Sequence, residues 1–462
     1  MNWLQLQAKE NPRKLFIQEG SHAYSYMDIA QMVQSYSQAL LLEGIQPHDR
    51  ILIYLPGSIE MVEIVLACFE IGAIATPISR RLTKKEHKTV IQTIQPRLII
   101  TNWSERDTFG SVSFQFICIE ELLSSSGGCS VLKNEYKKNP DDVCAILLTS
   151  GTTGIPKAVQ LTYRNFETSC SNWNEFLQFE PDDQFLCCLP LHHIGGLAVL
   201  IRAIIYGFSM HLVTTFQAEN IIKTIHNYPV TIISLVPTML KRILDLDGGL
   251  AAAQSLRWIL LGGGPSPQYI LDLCIEEKLN IVKVYGMSET CSGTFGLKLQ
   301  DEPSNKFYAG RIFPGAKVWI NNDEIHISGP MVMKGYVGEN VTNGTINSHD
   351  LGRIDDENLL YLHIRRKDLI VSGGENVNPI EVEECLLNIE GISDAAVVGK
   401  IDDEWGQKVI AYIVSVPLEN ELLHRELKKS LSAYKVPKEY IQVSHIPRNE
   451  LGKIVYKKLE FL

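Results

Sequence analysis

Short apolar runs alternate with a helical pattern in the first part of the chain. Residues 58–70 repeat apolar side chains at helical spacing, and Gly72 follows as a stop signal. The apolar face of this predicted helix contains Met61, Val62, Val65, Leu66 and Phe69. Thr83 and Glu86 have the spacing of a capping box and predict the start of a second helix. The predicted strands around these helices are residues 51–55, 73–78 and 97–101.

A second strand–helix series follows, with predicted helices at residues 218–226 and 238–246. Its predicted strands are residues 185–189, 210–213, 230–235, 258–261 and 281–284, and a further predicted strand, residues 143–148, precedes this series. Two such series predict two sheets of parallel strands flanked by helices, with ligands at the carboxyl ends of the strands.

The pattern changes twice towards the C-terminus. Residues 293–361 contain short strands and turns, which predict a β-rich subdomain. The last hundred residues or so alternate again, with predicted helices at 381–388 and 421–431 and predicted strands at 395–398 and 409–414. We therefore expect an α/β fold with a large N-terminal domain, residues 1–366, and a small α+β C-terminal domain, residues 367–462.

Composition narrows the class of protein. The 462 residues carry 43 Lys and Arg against 53 Asp and Glu, and the resulting net charge of −10 argues against binding to nucleic acid or to anionic membranes. The ten cysteines include no C-x-x-C pair, so we expect buried thiols in a reducing compartment. The most apolar stretches contain charged residues before they reach membrane-spanning length. We predict a cytoplasmic protein without a membrane span.

The strongest local signal is the segment 149–157, TSGTTGIPK, directly after a predicted strand. Its glycines allow backbone N–H groups to turn inward, and its hydroxyls and lysine add further donors, which together suit a phosphate group. It is not a Walker A loop, because Pro156 stands where that motif has its second glycine. A flexible polar surface loop is the alternative, but the embedded lysine and the preceding strand favour phosphate binding.

This segment resembles the signature loop of the adenylate-forming superfamily, which comprises acyl-CoA synthetases, peptide adenylation domains and luciferases. Six further motifs follow in the order expected of that family, and the resemblance runs nearly end to end. They are 189–196 (LPLHHIGG), 285–290 (YGMSET), 350–352 (DLG), 365–370 (RRKDLI), 373–376 (GGEN) and 452–453 (GK).

The resemblance implies a nucleotide site with Tyr285 on adenine, Asp350 on the ribose hydroxyls and Glu289 as the ligand of Mg²⁺. Ser288 replaces the usual threonine but keeps the hydroxyl, and His349 stands where the family usually has a glycine. The nucleotide-binding residues implied by the resemblance are Thr149, Ser150, Gly151, Thr152, Thr153, Gly154, Lys157, Gly263, Tyr285, Gly286, Ser288, Asp350 and Arg365.

By the same resemblance Lys453 is catalytic, together with Thr152 and His193. The matching lysine of the family bridges the substrate carboxylate and the α-phosphate, and a positioned ammonium stabilises the charge that develops there. Lys367 matches the hinge about which the C-terminal domain turns as a mobile lid. Gly373 and Gly374 would line the tunnel for the CoA thiol, where a side chain would obstruct it.

Three further segments bear on which acid the protein activates. Residues 197–207, 260–265 and 285–292 resemble o-succinylbenzoate–CoA ligases of menaquinone synthesis more than fatty-acyl or coumaroyl enzymes. The implied acyl pocket contains His193, Arg202, Gly262 and Gly264. Arg202 could pair with a second carboxylate of the substrate, and an arginine extending to the surface is an equal alternative. His192 replaces a common Phe or Tyr, and we favour a structural role for it.

We therefore predict an ATP-dependent acid–CoA ligase that forms an acyl-adenylate and then an acyl-CoA, with 2-succinylbenzoate as the acid. ATP, Mg²⁺ and coenzyme A are the expected small-molecule partners, and the sequence leaves open whether the protein forms a homo-oligomer. Other aryl or fatty acids, or a carrier protein in place of CoA, are alternatives. Because nine residues follow Lys453, we expect no fused carrier domain, which favours CoA. A third alternative is a regulatory nucleotide-binding protein, against which Glu289, Asp350 and Lys453 argue.

Overall fold

Helices and strands alternate along most of the chain in the computed structural model, which describes residues 2–82, 84–109, 114–123, 136–149, 157–264, 266–363, 370–372, 375–402, 405–450 and 452–459. The helices are α1 (Trp3–Glu10), α2 (Tyr26–Leu42), α3 (Ile59–Ile71), α4 (Lys84–Ile94), α5 (Ile119–Leu122), α6 (Tyr163–Leu177), α7 (Ile194–Tyr206), α8 (Ala218–Asn227), α9 (Pro237–Leu244), α10 (Gly249–Gln254), α11 (Gln268–Glu276), α12 (Pro379–Leu387), α13 (Asn420–Leu427) and α14 (Tyr456–Leu459).

The strands occupy three groups along the chain. Those before residue 163 are β1 (Leu15–Glu19), β2 (His22–Ser25), β3 (Arg50–Ile53), β4 (Ile74–Pro77), β5 (Leu98–Thr101), β6 (Gln115–Cys118), β7 (Val143–Thr149) and β8 (Lys157–Thr162). The middle group is β9 (Gln184–Cys187), β10 (Ser209–Leu212), β11 (Ile232–Leu235), β12 (Trp258–Leu261), β13 (Ile281–Met287), β14 (Ser292–Lys298), β15 (Gly310–Ile312), β16 (Lys317–Asn321), β17 (Glu324–Ser328), β18 (Gly335–Tyr336), β19 (Thr345–Ile354) and β20 (Leu359–His363). The last is β21 (Ile370–Ser372), β22 (Glu375–Val377), β23 (Ile392–Asp402), β24 (Gly406–Ser415) and β25 (Glu439–Gln442).

Within the described residues these strands form three sheets. One has the order β18-β8-β7-β4-β3-β5-β6, and its central strands β7, β4, β3, β5 and β6 run parallel. A second has the order β16-β17-β19-β20-β15-β14-β13-β12-β11-β9-β10-β1-β2, with a parallel stretch from β13 to β1. The third contains β21 to β25. This is the predicted α/β fold, with two helix-flanked sheets in the large N-terminal part and a small α+β C-terminal part.

The element patterns explain why these segments fold as they do. Helix α3 begins after Ser58 and ends at Gly72, whose φ of 77° is the left-handed conformation that a helix stop of this kind requires. The β-rich segment after residue 292 does not form its own sheet, because strands β14, β15, β20, β19, β17 and β16 continue the second sheet in antiparallel order. Residue 83 of the predicted capping box lies outside the described residues.

Buried apolar side chains form separate cores on either side of residues 364–369. Three clusters contain only residues up to 360, and two contain only residues from 370 onward. Among the described residues, therefore, no buried apolar cluster joins the two parts. Nine cysteines are described, all as free thiols and eight of them buried, in agreement with their apolar sequence surroundings. None of the described helices is long and apolar enough to cross a membrane.

Candidate active site

The carboxyl ends of β9, β11, β12 and β13 meet at one edge of the second sheet, because these neighbouring strands are parallel. The segments that follow them carry six of the predicted site residues, His193, Gly262, Gly263, Gly264, Ser288 and Glu289. These segments are 188–193 after β9, 236–238 after β11, 262–264 after β12 and 288–290 after β13. This is the place at which open parallel sheets bind ligands.

Tyr285 and Asp350 are in direct contact, although they are 65 residues apart in sequence. The Tyr285 hydroxyl donates a hydrogen bond of 2.8 Å to Asp350 Oδ2. Their strands, β13 and β19, are four strand spacings apart in the sheet order, or about 19 Å in a flat sheet at about 4.8 Å per strand. The sheet must therefore curl, and it brings the two residues predicted to bind adenine and ribose to one point.

Strand β13 is longer than its sequence pattern indicates. It was predicted to end at residue 284, but it continues through Tyr285 to Met287 because β14 pairs with it in antiparallel order. The register shifts at Gly286, where a Cβ would lie 2.1 Å from Ser292 O, so only glycine fits. Ser288 begins the short 3₁₀ turn that follows, which also contains Glu289.

The signature segment lies between two antiparallel strands. Thr149, at the end of β7, pairs with Lys157 at the start of β8, and the Thr149 hydroxyl donates a 3.4 Å bond to Lys157 O. The Lys157 ammonium lies 4.5 Å from the centre of the Tyr336 ring. The predicted contacts that fall outside the described residues here are Ser150, Gly151, Thr152, Thr153 and Gly154.

Glu289 lies where the two large sheets meet. The Tyr336 hydroxyl donates a 2.8 Å hydrogen bond to Glu289 Oε1, and Met333 N donates to Glu289 O at 2.8 Å. Tyr336 belongs to β18, which pairs with β8 of the first sheet. A carboxylate at this edge is the donor type that Mg²⁺ takes alongside phosphate oxygens, so the residues present suit the predicted metal.

Lys453 lies on a tight loop of the C-terminal part. Asn449 and Lys453 exchange backbone and side-chain hydrogen bonds of 2.9 Å, and Arg448 Nη1 donates to Gly452 O at 2.8 Å. Gly452 has a φ of 71°, and a Cβ there would lie 2.5 Å from Thr238 Oγ1. The loop therefore packs directly on the segment after β11, and glycine permits that close approach.

The three glycines after β12 lie beside the same segment. Gly263 has a φ of 83°, and a Cβ there would be 3.1 Å from Val236 Cγ1. A Cβ on Gly262 would be 3.1 Å from Val284 O, whereas one on Gly264 would meet no atom within 4 Å among the described residues. Gly262 and Gly263 thus leave space for close packing near the Lys453 loop, while the space at Gly264 is open.

His192 and His193 both face Glu450 of the Lys453 loop. His192 Nε2 lies 2.6 Å and His193 Nε2 3.7 Å from Glu450 Oε2. Burial, opposed by the hydrogen bond to Glu450 and aided by the charges of His192 and Lys453, lowers the pKa of His193. Burial alone would raise the pKa of Glu450, but the two histidines and Ser79 hold it well below its usual range.

Arg202 is buried inside α7, with 2% of its surface exposed, so the alternative of a surface arginine is wrong. Its guanidinium carbon lies 4.3 Å from the centre of the Trp173 ring, and Nη2 donates to Ser292 Oγ at 2.9 Å. Nε has no hydrogen-bond partner among the described residues. Burial lowers the pKa of Arg202 to about 10. A buried guanidinium with an unpaired donor is chemically suited to an anionic partner.

Four predicted contacts at and after the domain boundary fall outside the described residues. They are Arg365, Lys367, Gly373 and Gly374. The described site can bind a nucleotide through Tyr285 and Asp350, a divalent cation through Glu289 and an anion near Arg202. It also presents the cationic Lys453 loop at the same edge.

Sequence models of two protein domains match this chain. Residues 4–337 match "AMP-binding enzyme", and residues 381–453 match "AMP-binding enzyme C-terminal domain". The chain belongs to the AMP-binding enzyme family. A relative of this AMP-binding enzyme, the 2-succinylbenzoate–CoA ligase of Oceanobacillus iheyensis, is 34% identical over 99% of the chain and 98% of its own length.

The solved structures similar to this AMP-binding enzyme include the o-succinylbenzoate CoA synthetase (MenE) of Bacillus subtilis, at 30% identity. Its complex with the acyl-adenylate OSB-AMP has a TM-score of 0.91 and covers 99% of this chain and 98% of its own. Its complex with ATP and magnesium ion also gives 0.91, covering 99% of both chains. A double mutant with a product analogue, OSB-NCoA, gives 0.75 over 100% and 98%. The whole chain therefore superposes better on the adenylate and ATP complexes than on the product-analogue complex.

The sequence reading of this AMP-binding enzyme missed several residues of the site. Tyr336 bonds Glu289, Trp173 packs on Arg202, and Glu450 contacts both histidines. No local pattern marks the two aromatic residues, because their roles depend on packing between distant segments. Glu450 stands three residues before Lys453, but no local pattern indicates its pairing with His192, which is 258 residues away in sequence.

Proposed function

We propose that this protein is a 2-succinylbenzoate–CoA ligase of menaquinone biosynthesis. It converts 2-succinylbenzoate, ATP and CoA to 2-succinylbenzoyl-CoA, AMP and diphosphate. The observation that carries this function is the convergence of the Tyr285–Asp350 pair, Glu289 and the Lys453 loop at one sheet edge. The full-length similarity to 2-succinylbenzoate–CoA ligases supports the choice of acid.

The reaction proceeds in two steps, because a carboxylate is a poor electrophile. In the first step a carboxylate oxygen of the acid attacks the α-phosphorus of ATP, and the bond from that phosphorus to the diphosphate breaks. Tyr285 stacks on adenine, and Asp350 accepts hydrogen bonds from the ribose hydroxyls. Lys453 stabilises the negative charge shared by the carboxylate and the α-phosphate. Mg²⁺, held by Glu289, supplies charge neutralisation on the phosphates.

In the second step the CoA thiol attacks the acyl carbon, and AMP leaves. We place the boundary between the two domains at residues 366–367, with Lys367 as the hinge and Gly373 and Gly374 along the thiol's path. Matches to the two family domains on either side of that boundary support this division. The buried free thiols among the described residues suit a cytoplasmic location.

Arg202 is the residue we assign to the second carboxylate of the acid. Its guanidinium is buried, is held by Trp173 and Ser292, and has an unpaired Nε among the described residues. A dicarboxylic acid would supply the missing anionic partner, whereas a monoacid would leave the buried charge uncompensated. This is the feature of the site that separates the proposed substrate from fatty acids.

The test is a panel of aromatic, aliphatic and dicarboxylic acids, each scored for acid-dependent diphosphate release and then for thioester formation on addition of CoA. We expect 2-succinylbenzoate to give the highest kcat/KM, and CoA to discharge the adenylate. A clear preference for a long-chain or hydroxycinnamic acid would overturn the substrate assignment. Adenylate that persists in the presence of CoA but is discharged by a carrier protein would overturn the acceptor.

A further inference from the structure

Glu450 makes a set of polar contacts that the proposed mechanism does not use. Its Oε2 lies 2.6 Å from His192 Nε2, and its Oε1 accepts a 2.5 Å hydrogen bond from Ser79 Oγ. Arg81 Nε is 3.5 Å from Oε1. We call these four residues, Glu450, His192, Ser79 and Arg81, the Glu450 cluster. Both carboxylate oxygens are therefore engaged by the N-terminal domain.

The Glu450 cluster is shielded from solvent at its centre. The side chains of Glu450 and His192 are only 15% and 14% exposed, whereas Arg81 is 73% exposed and closes the outer side. Hydrogen bonds to an ionised carboxylate are stronger than those between neutral groups, and partial burial strengthens them further. The contact is therefore strong enough to influence where its loop lies.

The loop that carries Glu450 also carries Lys453. Backbone and side-chain bonds between Asn449 and Lys453, together with the bond from Arg448 to Gly452, tie residues 448–450 to residues 452–453. The close approach of Gly452 to Thr238 fixes a second point of this loop on the N-terminal domain. Contacts of Glu450 and of Gly452 with the N-terminal domain thus determine the position of the Lys453 backbone.

An alternative interpretation is that His192, His193 and Glu450 bind a metal ion, because their ligand atoms lie within 4.8 Å of one another. Three observations argue against it. The 2.6 Å contact between His192 and Glu450 is a direct hydrogen bond, and the cation of Arg81 lies beside the same carboxylate. The positive charge of Lys453 also acts on His193.

We propose that Glu450 is a positioning residue of the adenylation step, which docks the Lys453 loop on the N-terminal domain through His192 and Ser79. The inference rests on the proposed function, since it concerns the half-reaction that Lys453 serves. The arrangement of the whole chain, nearer to the adenylate complex of the similar synthetase than to its product-analogue complex, agrees with a contact made in the adenylating arrangement.

The test compares Glu450→Gln with wild-type protein in single-turnover assays of each half-reaction. Glutamine keeps the size of the side chain but removes the charge that His192 and Arg81 bind. We expect diphosphate release to slow about tenfold or more, since hydrogen bonds to a charged group are the stronger kind. Thioester formation from pre-made acyl-adenylate should change less than twofold, because Glu450 no longer contacts His192 and Ser79 in that step. The matched control is Glu421→Gln, an exposed glutamate of α13.

Two further measurements separate docking from general damage to the loop. His192→Phe should slow diphosphate release as well, and the double variant with Glu450→Gln should be no slower than the more damaged single variant. Hydrogen exchange of the backbone at 445–450 should rise in Glu450→Gln without any substrate present, and it should stay unchanged in Glu421→Gln. This last readout does not depend on which acid the enzyme uses.

The outcomes are distinct. Wild-type protein that releases no diphosphate with any acid overturns the proposed function, whereas an active wild type with an unaffected Glu450→Gln variant overturns only the positioning role. Equal slowing of both half-reactions, or additive effects of the two substitutions, would also overturn it. Loss of adenylation on treatment with a zinc-selective chelator in excess MgATP, restored by Zn²⁺, would show that the group is a metal site instead.

Discussion

Replacement of Lys453 by alanine tests the two-step mechanism most directly. The substitution removes an ammonium that the mechanism uses only while negative charge develops between the carboxylate and the α-phosphate. Loss of one preorganised donor to such charge costs about 2.7–4 kcal/mol, or about 10²–10³ in rate. We therefore expect adenylation to slow strongly and thioester formation from pre-made adenylate to change little.

The structure places the effect at the lower end of this range. Hydrogen bonds to Asn449 and the close packing of Gly452 on Thr238 fix the backbone of Lys453, so no large backbone rearrangement is required. The side chain, however, is exposed in this structure, and ordering a lysine side chain costs about 1.5–2 kcal/mol. Because this cost offsets part of the gain from the lysine, we expect the smallest loss of the range, about 2.7 kcal/mol, which corresponds to about a hundredfold.

The assay is single-turnover diphosphate release with saturating acid and MgATP, followed by CoA discharge of separately prepared acyl-adenylate. Lys458→Ala, which removes an exposed lysine of α14, is the control and should leave both rates unchanged. If Lys453→Ala slowed both half-reactions equally, the lysine would act in one fixed site, and the account of a turning C-terminal domain would be wrong.

Three other substitutions address the acid, the thiol path and a buried carboxyl. Arg202→Met should raise the KM for 2-succinylbenzoate by about tenfold or more and the KM for a monoacid analogue far less, since only the dicarboxylate supplies a partner for the buried charge; equal losses for both would return Arg202 to a structural role. Gly374→Trp, chosen from the family resemblance, should leave single-turnover diphosphate release intact while acyl-adenylate accumulates, which quenched-flow analysis with CoA would detect. Burial, together with the charges of Glu60 and Glu19, raises the pKa of Glu63 to about 8. The folded state therefore holds a proton there that the unfolded chain releases above its ordinary pKa, and stability from this group falls as pH rises from about 4.5 to 8. Glu63→Gln should flatten that part of the urea-denaturation profile, although Glu383, with a pKa raised by burial to about 8, preserves some slope; an unchanged profile would contradict the assignment.

Local patterns predicted well the bounds of elements that are short apolar runs or end at a glycine. Helix α3 and the strands β3, β4, β5 and β12 lie within two residues of their predicted bounds, because apolar periodicity and glycine stops are short-range signals. The extent of β13 was not predictable in this way. Its last residues are strand only because β14 pairs with them, and that pairing is a tertiary contact.

The site residues show the same distinction between short-range signals, which the sequence contains, and tertiary contacts, which it does not. Residue types with a chemical signature, such as Asp350, Glu289 and Lys453, were identified from motifs that the family shares. Contacts between distant segments, such as Tyr336 on Glu289 and Glu450 on His192, have no local signature. The burial of Arg202 belongs to the same group, since a single arginine in an apolar helix is compatible with either a surface or an interior position.

The separation of the apolar cores has a consequence for the rate of turnover. Among the described residues, the Glu450 contacts between the two domains are polar, and no buried apolar cluster contains residues of both domains. Undocking therefore exposes little apolar surface, so the docked and undocked arrangements can have similar free energies. A preference of about 1.4 kcal/mol for the docked arrangement would still leave roughly one molecule in ten undocked at any moment. An apolar interface would hold the domain too firmly for the second half-reaction to begin.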